Sequence, residues 1–113
     1  MRLQMTMNCR SKYGAHRVIE DGIRFASMKE AKRYAQLKMM QNAGLIQDLR
    51  LQVPFVLIQK QPGVKRCIKY IADFTYIENG EPIVEDVKGF RTDVYKLKKA
   101  LMADKYGIVI RET

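Results

Sequence analysis

IADFTYIENGEPIVEDVKG, residues 71–89, sets two runs of β-branched and aromatic residues on either side of Glu78-Asn79-Gly80-Glu81. Asn-Gly between such runs predicts a two-residue type I′ hairpin turn, whose central positions both need positive φ, tolerated by Asn and open to Gly. With Asn79 and Gly80 at the tip, Glu78 faces Glu81, and every step away from the turn advances both strands by one residue. Asp73 is therefore expected opposite Asp86. Side chains so placed share a face with Cβ atoms about 4.5–5.5 Å apart, and like charges directly opposite repel. Lys88, two residues past Asp86, falls on the same face, whereas Glu85 points through the sheet and reads as a bystander.

A divalent cation makes such a pair tolerable, and an oxygen-only site suits magnesium, which takes one or two carboxylates together with waters and substrate phosphate. That combination implies phosphodiester chemistry, with the nearby ammonium positioning water or countering developing negative charge. The plainer reading makes Asp73, Asp86 and Lys88 an ion-pair patch on a solvated sheet face.

Around the hairpin the chain reads as a mixed α/β domain. Residues 1–11 form a polar, Met-bearing arm expected to be flexible, and the domain proper is assigned to residues 12–113. Two short strands, HRVI and IRFA, flank the turn signal Glu20-Asp21-Gly22. Ser27 and Glu30 match a capping box that opens a helix over 28–43, with Gly44 as its left-handed stop. Met28, Ala31, Tyr34, Ala35 and Met39 make its apolar arc. IQDLRLQVPFVLIQK suits a strand entering the interior, with Pro54 at a bulge or edge. A second helix is expected over 92–106, with Val94, Leu97 and Leu101 as its core side and Lys96 and Lys99 opposite, then Gly107 and a last strand, IVIRE.

Composition narrows the partners. The 113 residues, 47% hydrophobic, suit one compact domain, and 21 Lys plus Arg against 12 Asp plus Glu give a net charge of +9 that attracts polyanions, nucleic acid first. No apolar run approaches the about 20 residues of a membrane span, and the N-terminus lacks the apolar block of a secretory signal, so Cys9 and Cys67 are expected as reduced thiols in a cytoplasm. Two cysteines and His16 cannot supply a structural zinc site, and His16 is assigned to solvent or phosphate contact.

Asp73, twelve intervening residues and Asp86-Val87-Lys88 resemble the D…(D/E)-x-K core of the PD-(D/E)XK, or restriction-endonuclease-like, nuclease superfamily. FASMKEAKRYAQLKMMQNAG, LRLQVPF, YIADFTY and VEDVKGFRTDVYKLKKALMADKYGI resemble a family of small, mostly phage-encoded proteins placed in it, over residues 12–110. Ala72 departs from the proline in the superfamily's name. The resemblance implies a mixed central sheet flanked by helices and a Mg2+-dependent endonuclease, with Mn2+ as substitute, that cuts DNA to leave 5′-phosphate ends. Asp73 and Asp86 would hold metal, Glu30 in KEAKRY would be a third ligand or only the helix cap, Lys88 would assist the attacking water, and Gln52 would line the site. Lys88, Arg91, Lys96, Lys98, Lys99 and Lys105 lie in one basic stretch that would track the phosphate backbone, with Arg91, Lys96 and Lys99 as the expected contacts. Related phage nucleases of this fold include dimeric resolvases of branched DNA, which suggests a structure-selective homodimer; RNA stays open as a partner. The alternative is a nucleic-acid-binding or assembly protein that keeps the fold without cutting.

Overall fold

Asn79 and Gly80 take φ of 53° and 78°, the two positive angles a type I′ turn requires, and Glu78 pairs with Glu81 across them. A computed structural model describes residues 18–88 and 91–113. Its elements run β1 (Val18–Glu20), β2 (Ile23–Phe25), α1 (Met28–Asn42), β3 (Ile46–Ile58), β4 (Ile68–Glu78), β5 (Glu81–Asp86), α2 (Asp93–Tyr106) and β6 (Arg111–Glu112). β1 and β2 form a hairpin by themselves. The other four strands make one mixed sheet in the order β3-β4-β5-β6, antiparallel except where β6 lies parallel to β5. This is a single α/β domain. The arm at residues 1–11, Cys9, His16 and the start of the first expected strand lie outside the described residues.

Gly80 illustrates how the turn is fixed. A Cβ there meets nothing within 4 Å, so replacing it costs backbone conformation alone. Gly80→Ala is expected to lower unfolding stability by about 1 kcal/mol, read from denaturant unfolding; an unchanged midpoint would mean that the turn does not set the register.

Each helix packs its own core. Ala31, Tyr34 and Leu37 of α1 meet Phe25, Ile46, Leu51, Phe74, Tyr76 and Val87, while Tyr95 and Met102 of α2 meet Leu57, Tyr70, Ala72, Val84 and Ile110. Both stripes differ from the expected ones. In α1, Met28 and Met39 are exposed and Leu37 is fully buried, because the spacing 31, 34, 37 follows the hairpin and sheet contact rather than the longest apolar arc. In α2, Val94 and Leu97 are 62% and 61% exposed and only Leu101 of the expected core side packs against the core; residues seven apart, Tyr95 and Met102, face inward. β3 is an edge strand, one of the two positions that Pro54 allowed. Pro54 sits in it opposite Ile71, and an edge strand is where a residue without an N–H is tolerated in a sheet. Irregular register instead falls between Gln47 and Arg50 and between Val56 and Ile58.

Candidate active site

The register found on either side of Asn79-Gly80 runs unbroken to Phe74 opposite Glu85, so the next residues outward are Asp73 and Asp86. Their side chains line one cleft with Glu30 of α1, Lys88 beyond β5, and Thr92 and Tyr95 at the start of α2. The segment after β5 is pinned from its far side. Thr113 N–H donates to the Asp86 carbonyl and Lys88 N–H donates to the Thr113 carbonyl, both at 3.0 Å. Lys29 Nζ of α1 donates to the Lys88 carbonyl at 2.7 Å. Helix, strand and C-terminal strand thus fix where the acids stand.

Asp86 is almost fully buried. Its Oδ2 lies 3.0 Å from Lys88 Nζ, yet without hydrogen-bond alignment, and both this oxygen and the Tyr70 hydroxyl make no hydrogen bond within the described protein. The Lys88 ammonium rests 3.9 Å from the centre of the Tyr95 ring, a cation–π contact that holds it at the cleft. Asp73 accepts at Oδ2 from the Val87 amide at 2.9 Å. Burial first, then the neighbouring Asp86 carboxyl and the charge of Glu30, push its carboxyl up to about 9. Glu30 is also raised, by burial and by the charge of Asp86, against the opposing Ala26 amide and Lys88.

Glu30 has both of the roles that its sequence left open within reach. Its amide donates to Ser27 Oγ at 3.1 Å, the helix cap, and its Oε1 accepts a long bond of 3.4 Å from Ala26 N–H, while the side chain lines the cleft. Gln52, with φ of 54°, lies between residues paired to Phe74 and Ala72, across from Asp73, but does not line the cleft.

Glu85 is no bystander. Fully buried, it accepts from Arg33 Nε at 2.6 Å and Nη2 at 3.0 Å, from Thr113 Oγ1 at 3.0 Å and from the Tyr76 hydroxyl. Burial alone would raise its carboxyl, but the bonds from Arg33 and Tyr76 outweigh that and hold it below the ordinary range. Arg33 stands one turn after Glu30 and Glu85 immediately before Asp86, so this ion pair fastens α1 to β5, two of the three elements that carry the cleft acids.

The cationic residues sort differently from expectation. Arg91 Nε and Lys99 Nζ engage Glu112 at 2.9 and 3.1 Å, joined there by the Tyr95 hydroxyl. Lys96 is exposed. Lys98, one of the basic residues of the 88–105 stretch, and Lys69, not singled out in the sequence, line the cleft instead. Lys69 could have been found, since Lys69, Ile71 and Asp73 alternate along one strand and so share a face.

Charge near the cleft makes the metal-free chain sensitive to pH. Between its ordinary value of 3.8 and the raised value of about 9, the folded chain keeps a proton on Asp73 that the unfolded chain has lost, so stability falls as pH rises through that window. The thermal midpoint in EDTA is expected to drop by several degrees from pH 5 to pH 9. Asp73→Asn should flatten that drop; an equally steep decline in the variant would place the titrating group elsewhere.

A profile built on a family described as protein of unknown function (DUF1064) matches residues 10–112. The chain belongs to this family. No curated protein and no solved structure matches it. Among the described residues no helix is long and apolar enough to cross a membrane.

Proposed function

We propose that this member of the DUF1064 family is a Mg2+-dependent endonuclease of the restriction-endonuclease-like kind, hydrolysing DNA phosphodiester bonds at the cleft between α1 and α2. The observation that carries the reading is the meeting of Asp73 and Asp86 from adjacent strands in one cleft, with a buried Asp86 oxygen that has no hydrogen bond and with Lys88 beside it. Among the described residues no three Asp, Glu, His or Cys side chains stand ready to hold a metal ion together. Magnesium does not need three, since it keeps several waters and binds through one or two carboxylates. The two aspartates fit that demand, with Glu30 near enough for its charge to be felt at Asp73.

When bound, the ion polarises a phosphoryl oxygen and makes bound water more acidic. Asp73 and Asp86 supply the negative oxygens that hold it, and Asp73 gives up its proton to do so. Glu30 adds negative charge at the α1 side of the two aspartates. The Lys88 ammonium, steadied by Tyr95, supports the attacking water or the charge that develops on the phosphate. Lys69 and Lys98 supply backbone attraction at the cleft itself.

The Lys88–Asp86 ion pair also suits a second reading, in which the lysine neutralises Asp86 permanently and the fold binds nucleic acid without cutting. Nicking of plasmid and branched DNA separates the two. Cleavage that needs Mg2+ or Mn2+ and stops in EDTA is expected; binding without cleavage of any substrate in either metal would remove hydrolysis and leave the second reading.

A further inference from the structure

The cleft is lined along β4 by Lys69, Tyr70, Ile71 and Asp73, and along α2 by Thr92, Val94, Tyr95 and Lys98. Tyr70 and Tyr95 are buried in the core, which leaves Ile71 and Val94 as the exposed apolar side chains of these two stretches, each with a lysine of its own element in the same lining. Ile71 and Val94 are 44% and 62% exposed, and an apolar pair flanked by lysines at the mouth of an acidic cleft contributes to neither core. Lysines at the rim complement a phosphate backbone. The apolar pair between them matches what lies between phosphates when bases are not stacked on one another: a base face. In continuous duplex those faces are closed to side chains, whereas in unpaired strands apolar residues stack on them or wedge between them.

We propose that Ile71 and Val94 clamp an unpaired base next to the reacting phosphate, so that the substrate is a DNA strand with unpaired nucleotides at the cut, as in a single strand, flap or branch. This rests on the nuclease reading, and binding is measured separately from cutting for that reason. Lys69 and Lys98 hold the neighbouring phosphates, and the absence of hydrogen-bonding base readers from this pair makes the contact indifferent to sequence.

The test uses the full chain and oligonucleotides that carry 2-aminopurine, whose fluorescence reports unstacking, presented as single strand, flap and matched duplex in Ca2+ for binding and in Mg2+ for cleavage. Single strand and flap are expected to bind at least about tenfold more tightly than duplex, the scale of one base stacked on a side chain. Ile71→Ser with Val94→Ser should remove that preference and its fluorescence change while the thermal midpoint stays near wild type. Ile71→Leu with Val94→Leu should keep it. Equal binding of duplex and single strand, or a preference that survives the serine pair, overturns the clamp even if DNA is cut. A preference for unpaired strands that the serine pair removes, with no cutting in Mg2+ or Mn2+, keeps the clamp and overturns the nuclease reading.

Discussion

Arg33→Met is expected to destabilise the protein by about 3–5 kcal/mol, because it leaves the Glu85 carboxylate buried without its charge partner. Glu85 is fully buried and Arg33 grips both of its oxygens; among the described residues its other partners, Tyr76 and Thr113, offer only neutral hydroxyls. A loss of that size is a large share of the stability of a domain of this length. Replacing both partners, Arg33→Met with Glu85→Met, should recover most of it, since two apolar side chains remove the stranded charge as well as the bond. The depressed Glu85 carboxyl contributes stability that is present above its ordinary value of 4.5 and lost as pH falls through its folded value. The single variant should therefore also lose that part of the acid dependence. Urea unfolding of the three variants at pH 7 decides it; a single variant within 1 kcal/mol of wild type, on the order of a surface pair, would show that the ion pair does not brace the fold.

The second large effect concerns chemistry. Asp86→Asn keeps the size of a nearly fully buried side chain and removes the charge that a cation needs. Loss of several kcal/mol of transition-state stabilisation is expected, which is on the order of 10³-fold or more in rate. The fold should survive, because Asn avoids a buried carboxylate whose Oδ2 has no hydrogen bond. Single-turnover cleavage with excess enzyme, beside a thermal scan, measures both. An unimpaired rate would remove Asp86 from the reaction, and lost activity with a collapsed midpoint would assign it to folding instead.

Much of this geometry was legible because short-range rules governed it. The Asn79-Gly80 turn dictates a register, and the register fixes which acids meet; Ser27 caps α1 as its capping box requires, while Thr92, read as the first residue of the second helix, is its cap. The element order was readable for the same reason. What failed were choices that depend on tertiary partners. Val94 and Leu97 look like core by hydropathy, yet α2 turns Tyr95 and Met102 inward because aromatic and sulfur side chains fill the gap against Tyr70 and Ala72. Glu85 looked idle because its counter-ion, Arg33, lies 52 residues away in sequence, beyond the reach of any local pattern. Lys99 and Arg91 were assigned to phosphate, and only the fold reveals Glu112 between them.

Direct titration with Mn2+, followed by electron paramagnetic resonance of the free ion, tests the cation centre without reference to any substrate. One site per chain is expected in the wild type, displaced by Mg2+, stronger at pH 8 than at pH 6 because Asp73 must lose its proton, and absent from both Asp86→Asn and Asp73→Asn. Binding of equal strength in wild type and Asp86→Asn, or no binding by the wild type at millimolar Mn2+, would contradict the proposal that these two aspartates hold a metal.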